Sequence, residues 1–516
     1  MTTSGLPDGL QSTSPFWSHR WVFNCVFAVG CAIAGCLCVA VYTIGGLALV
    51  SCVIACLLFA VIAFADLRSA FLFTFVFSLF QPLVTRMLFN IDFPRAASQS
   101  MLGYKDPLTT TVSLLLICSA GLALLPALTG KPYSIPRALV CLIGLFIVIS
   151  LLQVFNPGKT LLAGVYGFKN NGLPVLMIFV GYSAVRSNDD IVRLMRFIAL
   201  FSAIALLYGL YQEMVGLPAF ESFWYSRTLP ETSSMFFELD ATREIRIPSV
   251  FQGYSTYSYV ITAFGIVIYA LGKDVFQGKW KYLRLACLIL LGSYFALSME
   301  RIAIGMFVAG VLVFHFVTSR NRRRMLRFVL VGGVVFFSLY ALVYKTSDRL
   351  REMGWASGST RLIRLAEMAD PLRASTVTSG RIRGGWQASV AVIKARPLIG
   401  TGTGSATLTR GLSQEEREAW FPPLNEFLHK QIELGALGSA AFIAMLYAAY
   451  RALLERNAQP AAPDGTRQYA AAMVGVLAAY VACGMFNVPF LYESGIAFWF
   501  LTGMALHRVP EIESPS

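Results

Sequence analysis

Apolar runs long enough to cross a lipid bilayer recur along this chain from one end to the other. A bilayer core of about 30 Å needs about 20 residues of helix, and about 14 runs of roughly that length can be counted. Hydrophobic side chains make up 56% of the chain and charged ones only 14%, whereas soluble proteins contain about 25% charged residues. The sequence therefore predicts an all-α polytopic membrane protein with about 14 transmembrane helices.

The positively charged residues assign an orientation to these helices. If the N-terminus lies in the cytoplasm, the loops on that side carry most of the Lys and Arg residues, and the short outer loops carry fewer. Cytoplasmic loops are the ones that accumulate positive charge, so both termini are predicted to be cytoplasmic. The predicted spans are 21–41, 44–65, 69–89, 109–127, 138–155, 172–185, 192–214, 250–271, 285–299, 302–318, 328–344, 431–450, 468–487 and 490–506.

This topology divides the chain into alternating membrane and outer segments. Two long polar segments fall on the outer side, and chemistry on external substrates is expected there. The predicted organisation is an N-terminal segment 1–20, transmembrane helices 1–7 in 21–214, an outer loop 215–249, helices 8–11 in 250–344, a large outer loop 345–430 that folds as short helices, helices 12–14 in 431–506, and a cytoplasmic tail 507–516.

The net charge of +14 implies an anionic partner. The basic residues are spread over loops that face a membrane surface, which favours anionic lipid over nucleic acid. All ten cysteines fall within predicted spans, so neither a disulfide nor a cysteine-based metal site is expected. Membrane lipids are therefore predicted partners, and nucleic acid is not.

The stretch LSMERIAIG, residues 297–305, places two charges inside an otherwise apolar region. Glu300 and Arg301 either mark the outer turn of a tight helical hairpin or hold an arginine at membrane depth. An arginine at the centre of a membrane helix costs about 2.5–3.5 kcal/mol on insertion scales, so it usually faces a cavity or a partner. A structural ion pair, or an interfacial arginine that extends toward water, is the alternative to ligand binding.

A second stretch, residues 378–405, combines arginines with glycines. Arg381 and Arg383 are flanked by Ser and Gly residues, so guanidinium and backbone groups can both approach a ligand. Guanidinium groups bind phosphate oxygens in pairs and stay charged. The glycines at 400, 402 and 404 lack the neighbours of a phosphate-binding loop and predict a flexible turn. The arginines either bind an anion or form a solvated face.

The third stretch, PPLNEFLHKQIELGALG, runs from Pro422 to Gly438 and begins a helix. On that helix His429 lies one turn from Asn425 and one turn from Glu433, and Glu426 precedes it by three residues. A carboxylate beside an imidazole fixes its tautomer, which suits a base that removes a hydroxyl proton. The alternative is ordinary helix-start chemistry, in which Asn425 caps the helix, Glu426 complements its dipole and His429 is an interfacial polar residue.

Together the three stretches resemble the bacterial O-antigen ligase and polymerase superfamily over about residues 150–450. The matching residues are Asn156-Pro157, the arginine motif here written SMERIA, the segment Arg381, Trp386, Pro397, Gly400 and Gly402, and the final motif Asn425, Gly435 and Gly438. That motif reads His-Asn, nine residues, Gly, two residues, Gly in the family. The histidine that ligases use to activate the acceptor sugar is Leu424 here, and the serine before the membrane arginine is Glu300.

The resemblance implies an enzyme that acts on undecaprenyl-diphosphate-linked glycans at the periplasmic face of the bacterial inner membrane. It implies that Arg301 and Arg381 hold the lipid diphosphate during catalysis. The candidate base is His429 or Glu426, and the further candidates for substrate binding are Arg383, Asn425 and Glu433. No carboxylate cluster is arranged for a metal, so no metal or other cofactor is expected. A chain-length regulator of the polysaccharide pathway is a candidate partner.

Three functions remain open from the sequence. A repeat-unit polymerase is favoured because Leu424 replaces the ligase histidine. A ligase that moves finished glycan onto lipid A-core or another acceptor is the second function, and a lipid-linked oligosaccharide flippase or other transporter is the third. A transporter would concentrate polar residues near the middle of the membrane, whereas here they gather at the outer helix ends and in 345–430.

Overall fold

The structure is a computed structural model and is entirely helical, without strands, in the residues that it describes. Those residues are 47–96, 107–128, 134–157, 160–232, 247–298, 300–319, 344–357, 385–406, 424–459 and 464–507, with isolated positions 323, 327, 338, 341 and 366. The described α-helices are α1 Leu47–Ala65, α2 Leu67–Ala96, α3 Pro107–Leu128, α4 Arg137–Leu152, α5 Leu161–Asn171, α6 Met177–Ala184, α7 Asn188–Val215, α8 Ala219–Thr232, α9 Tyr254–Ala270, α10 Gly272–Val275, α11 Trp280–Ser298, α12 Arg301–Thr318, α13 Ser347–Ser357, α14 Gln387–Ala395, α15 Glu426–Ala458, α16 Asp464–Gly484 and α17 Tyr492–Leu506.

Seven of the described helices are long and apolar enough to cross a membrane, judged by length and composition. They are the helical segments Leu67–Phe89, Leu108–Pro126, Arg137–Phe155, Asn188–Val215, Trp280–Ser298, Arg301–Thr318 and Glu426–Ala458. A chain with this many apolar helices is a polytopic membrane protein. The predicted total of about 14 spans and the side on which each terminus lies remain predictions. The predicted first span, 21–41, lies outside the described residues.

The predicted sixth span, 172–185, is not one continuous α-helix. Residues Leu173–Leu176 form a 3₁₀ turn with Pro174 at its start, and α6 adds only eight residues. Eight residues of α-helix extend about 12 Å, far less than the membrane core. Helix α6 is nevertheless buried because it packs tightly on α17, where a Cβ added to Gly181 would lie 2.0 Å from the Phe500 carbonyl oxygen.

One end of the bundle contains the start of α12, the start of α15 and the end of α16, and we call it the polar end. The start of α15 lies against the end of α16, since a Cβ on Gly484 would lie 3.3 Å from the Glu426 Cβ atom. The buried Tyr259 interacts electrostatically with both Cys483 and Glu300. The start of α12 therefore lies at the same end as the start of α15.

A buried ion pair fastens the 215–249 segment to α2. The Arg86 Nε atom lies 3.1 Å from a carboxylate oxygen of Glu221, and both side chains are at most 2% exposed. Arg86 also donates to the Tyr225 hydroxyl at 3.1 Å and to the Ser249 carbonyl oxygen. Desolvation raises the pKa of the Glu221 carboxyl above its usual value, although Arg86 acts in the opposite direction. The Arg86–Glu221 pair therefore holds the segment against α2, and the desolvation of its two charges opposes folding.

Replacing Arg86 by methionine is expected to destabilise the protein by about 3–5 kcal/mol, because it leaves Glu221 as an uncompensated buried charge. The melting temperature of the detergent-solubilised protein measures this. Adding Glu221→Gln to the same chain should recover part of the loss. Arg451→Met is the matched control, since Arg451 pairs with Glu455 on an exposed helix face and its loss should leave the melting temperature unchanged. A normal melting temperature for the Arg86 variant would contradict the prediction.

Candidate functional site

Helix α15 begins with a side-chain cap. The Asn425 Oδ1 atom accepts hydrogen bonds from the backbone N–H groups of Phe427 and Leu428, each at 3.0 Å. The Asn425 amide nitrogen donates to the Met485 carbonyl oxygen at 2.8 Å. A cap of this kind satisfies helix N–H groups that otherwise have no partner. Asn425 thus serves as the helix cap, which was one of its two predicted roles, and it also ties α15 to the segment after α16.

The helix is interrupted ten residues later, at Gly435. This glycine has φ 68° and ψ −171°, a combination that is essentially restricted to glycine. The interruption releases the Ile432 and Glu433 carbonyl oxygens from the helix, and they accept hydrogen bonds from the backbone N–H groups of Thr401 at 2.8 Å and Gly402 at 3.0 Å. The Ala436 N–H donates to the Pro397 carbonyl oxygen at 2.9 Å. The 397–406 segment therefore replaces the hydrogen bonds that the helix loses.

The glycines that predicted a flexible turn lie in turns that make close backbone contacts. Gly400, Gly402 and Gly404 have φ values of 76°, 98° and 85°, which disfavour other residues. A Cβ on Gly400 would lie 2.5 Å from the Gly435 backbone nitrogen. The predicted turn is present, whereas its packing against the break in α15 could not be predicted from local sequence.

The glycine segment also contacts the region around the Asn156-Pro157 motif. A Cβ on Gly402 would lie 2.9 Å from the Asn156 Cβ atom. The Thr403 hydroxyl donates to the Gly164 carbonyl oxygen of α5 at 3.1 Å. The Gln153 side chain donates to the Ile399 carbonyl oxygen at 2.7 Å. Three motifs that are far apart in sequence, Asn156-Pro157, 397–404 and Asn425–Gly438, are thus brought together.

A continuous buried network links α15 to α5 at the polar end. The Lys430 ammonium lies 2.7 Å from the Glu426 carboxylate and donates a short hydrogen bond to the Asn171 side-chain oxygen. The Asn171 side-chain nitrogen donates to the Glu433 carboxylate at 2.8 Å. The Glu426 carboxylate also accepts from the Phe490 N–H at 3.2 Å. Such a network is stable only when its members are paired, as they are here.

His429 completes this network beside Glu433. The His429 Nε2 atom lies 3.4 Å from Glu433 Oε1, and the Ala406 N–H donates to the same oxygen at 3.1 Å. Neither ring nitrogen of His429 makes a hydrogen bond within the described part of the chain. The side chain is 1% exposed, so it is a buried residue and not the interfacial one that helix-start chemistry predicts. The geometry leaves Nδ1 as the ring atom able to accept a proton if Nε2–H faces the carboxylate.

The arginines predicted to hold the diphosphate are only partly described. Arg301 is the first residue of α12 and its side chain is exposed, at the polar end of the bundle. Helix α11 ends at Ser298, so Glu300 and Arg301 lie at the junction of two helices. Arg381 and Arg383 lie outside the described residues. The structure therefore places Arg301 at the same end of the bundle as His429.

Two members of the network, Lys430 and Asn171, were missed in the sequence. Lys430 follows Glu426 by four residues, a spacing that indicates an ion pair on a helix, so it could have been found. Asn171 comes from a helix 259 positions before Lys430, and no sequence signal links the two. A second pair, Lys169 and Glu493, lies on α5 and α17 and interacts electrostatically. No group of three or more His, Cys, Asp and Glu suited to a metal occurs among the described residues.

Comparison with known protein families gives one match. Residues 286–443 match a family model described as O-antigen ligase, a family whose members transfer glycans. No curated protein matches the chain. The matched residues include α11, α12, the glycine segment and the first half of α15. The match covers less than half of the chain, and over that segment the chain is similar to the O-antigen ligase family, in agreement with the resemblance seen in the sequence.

Proposed function

We propose that the protein is a glycosyltransferase that polymerises undecaprenyl-diphosphate-linked oligosaccharide units at the periplasmic face of the bacterial inner membrane. The observation that carries this proposal is the buried His429–Glu433 pair, with Nε2 and Oε1 3.4 Å apart, inside the family match. The product would be O-antigen or another surface or secreted polysaccharide. The lipid-linked glycan is the proposed substrate, membrane lipids surround the protein, and a chain-length regulator is a proposed partner.

The proposed reaction is a single displacement at the anomeric carbon of the donor sugar. The acceptor hydroxyl loses its proton to a base, and its oxygen forms the new bond to the anomeric carbon. The bond from that carbon to the diphosphate oxygen breaks, and the electron pair leaves with the lipid diphosphate. Negative charge therefore grows on the diphosphate, which fixed cations stabilise in a partly dry site. Arg301 and Arg381, with Arg383 beside Arg381, are the proposed cations.

The contacts favour His429 over Glu426 as the base. Both oxygens of Glu426 are engaged, one by the Lys430 ammonium and one by the Phe490 N–H. The His429 Nδ1 atom makes no hydrogen bond within the described residues. Since His429 is buried, proton transfer requires the site to open when the acceptor binds. Asn425 and Glu433, predicted to bind substrate, are engaged in capping and in the buried network, which favours positioning roles for both.

The polymerase proposal rests on Leu424, which stands where the ligase motif has its histidine. The ligase alternative keeps the same donor chemistry and differs only in the acceptor. Surface glycans from a deletion strain separate the two. Glycans that stop at one repeat unit support the polymerase, and long lipid-linked glycan that never reaches its acceptor indicates the ligase. Glycans of normal length and attachment would refute both.

Replacing Arg301 by alanine is expected to slow glycan transfer by about 10²–10³-fold, the loss typical of one preorganised group that stabilises developing charge. The rate is measured in membrane vesicles that contain the lipid-linked substrate of the source strain. Arg193→Ala is the control, because Arg193 has an exposed side chain on the second turn of α7. The first residue of that helix, Asn188, bonds to Thr466 at the start of α16, so Arg193 lies at the end of the bundle opposite to the polar end. An unchanged rate for the Arg301 variant would remove the diphosphate role.

A further inference from the structure

Five strongly exposed apolar side chains lie close together beside the candidate site, and we call them the apolar strip. Each is between 64% and 69% exposed. They are Leu152 and Phe155 at the end of the α4 span, Leu398 and Ile399 in the glycine segment, and Leu437 on α15. Hydrogen bonds between their neighbours join the three pieces, since the Gln153 side chain donates to the Ile399 carbonyl oxygen at 2.7 Å and the Ala436 N–H donates to the Pro397 carbonyl oxygen at 2.9 Å.

The apolar strip lies where two packed membrane helices reach the edge of the membrane core. Helix α15 continues for about 20 residues beyond Leu437, or about 30 Å, which is the thickness of that core. The span of α4, which packs on α15, ends at Phe155. The first turns of α15, which carry His429, therefore project beyond the core, and the apolar strip borders the lipid below them.

Two cations stand beside the apolar strip. Lys394 and Arg396 are both exposed. The Gly400 N–H donates to the Arg396 carbonyl oxygen at 3.1 Å, which closes a turn with Leu398 and Ile399 at its tip. The segment from the start of α14 to this turn contains no acidic residue. An apolar tip beside a basic base is complementary to an anionic lipid, which has an apolar chain and a phosphate headgroup.

The apolar strip leads to the side of the site that holds the proposed base. The segment that begins at the strip ends in the buried network, where the Ala406 N–H donates to Glu433 Oε1 at 3.1 Å, and this oxygen lies 3.4 Å from His429 Nε2. Arg301 lies on α12, which packs on α9 and α16, whereas α4 packs on α15. A lipid on the apolar strip therefore approaches the base from a different side than a lipid held by Arg301.

We propose that the apolar strip, with Lys394 and Arg396, binds the lipid diphosphate of the acceptor. This inference rests on the proposed polymerisation, in which both units are lipid-linked, and it deepens that function by giving the acceptor a lipid site of its own. The isoprenoid chain lies on the apolar side chains, and the two cations bind the diphosphate. The acceptor sugar then reaches His429, and the donor diphosphate leaves on the side of Arg301.

The test compares two acceptors in the double variant Lys394→Gln with Arg396→Gln. One acceptor is the lipid-linked repeat unit, and the other is the same oligosaccharide as a water-soluble methyl glycoside, which has no lipid diphosphate. The donor carries a labelled glycan whose terminal sugar is methylated, so that it can only donate. The KM for the lipid-linked acceptor should rise about 25-fold, because one basic residue beside an anionic lipid surface contributes about fivefold. The KM for the glycoside should stay at its wild-type value.

The matched control is Lys279→Gln with Lys281→Gln. These two lysines are also exposed, but they flank the first residue of α11, at the end of the bundle opposite to the polar end. The control should leave both KM values unchanged. A double variant at 394 and 396 that loses both acceptors equally would show that these cations serve the donor or the fold, and it would overturn the inference. An unchanged KM for the lipid-linked acceptor would overturn it as well.

Photo-cross-linking tests the same site without activity. The full-length variant Ile399→p-benzoylphenylalanine is placed in vesicles of phosphatidylglycerol and phosphatidylethanolamine that contain undecaprenyl diphosphate. The adduct with undecaprenyl diphosphate should exceed the share of this lipid in the vesicle, and the added 394 and 396 substitutions should remove the excess. Adducts that follow lipid composition would identify an ordinary lipid-facing surface and overturn the inference. An excess together with normal surface glycans in the deletion strain would keep the lipid diphosphate site and refute the proposed function alone.

Discussion

Replacing Gly435 by alanine is expected to remove most of the folded protein from the membrane. The backbone at this position has φ 68° and ψ −171°, and forcing a side chain into such a conformation costs about 1–3 kcal/mol. The added Cβ would also lie 2.2 Å from the Leu398 carbonyl oxygen, far closer than non-bonded carbon and oxygen atoms approach, so the backbone would have to shift. Since native proteins are stable by about 5–15 kcal/mol, strain and clash together remove a large part of that margin.

The amount and the melting temperature of detergent-solubilised protein measure this effect. Gly144→Ala is the matched control, because Gly144 lies within α4 and a Cβ there meets nothing within 4 Å. The control should be neutral or slightly stabilising, since alanine favours helix more than glycine does. Equal melting temperatures for the two variants would show that the break in α15 does not depend on glycine.

The break in α15 also explains why the family motif has glycine at this position. The glycine allows the backbone of the 397–404 segment to reach the helix, and the freed carbonyl oxygens of Ile432 and Glu433 hold that segment. Glu433 thus contributes its carbonyl oxygen to the glycine segment and its carboxylate to the His429 pair. A change at Gly435 would therefore disturb the backbone that positions the His429–Glu433 pair.

Most described helices could be predicted from the sequence because membrane crossing imposes their length. The predicted spans 69–89, 109–127 and 192–214 lie within α2, α3 and α7, since each is a long apolar run with polar ends. The predicted span 172–185 failed as a single helix because hydropathy does not register Pro174 or the tight packing of α6 on α17. Apolar composition therefore identifies which segments are buried, but it does not show where such a segment is broken into a 3₁₀ turn and a short α-helix.

The candidate site was predictable only as far as it lies on one helix. Asn425, Glu426, His429 and Glu433 could be placed together because residues three and four apart share a helix face. Asn171 and the glycine segment could not be placed, since they come from other elements and their contacts depend on tertiary packing. Helix spacing also does not report depth, and His429, which is interfacial in one of the two interpretations of the sequence, is buried. The structure therefore adds the partners of the α15 motif, namely Asn171 and the glycine segment, which the sequence does not reveal.

Replacing His429 by alanine is expected to slow glycan transfer by about 10²–10⁴-fold, the usual contribution of a general base. Some activity should remain, because the lipid diphosphate is a good leaving group and the arginines still stabilise it. His315→Ala is the control, since His315 lies in the last turn of α12, away from the polar end, and bonds to the Tyr269 hydroxyl at 2.9 Å. The rates are measured in vesicles with the lipid-linked substrate of the source strain.

Glu426→Gln in the same assay decides between the two candidate bases. Its amide oxygen can accept from only one of the two donors, Lys430 or the Phe490 N–H, so the melting temperature should fall, and the rate per folded protein should fall less than in His429→Ala. A greater loss in Glu426→Gln would assign the base to Glu426. Full activity in His429→Ala would remove His429 from the mechanism, and the buried pair with Glu433 would then serve only to hold α15 against α5 and the glycine segment.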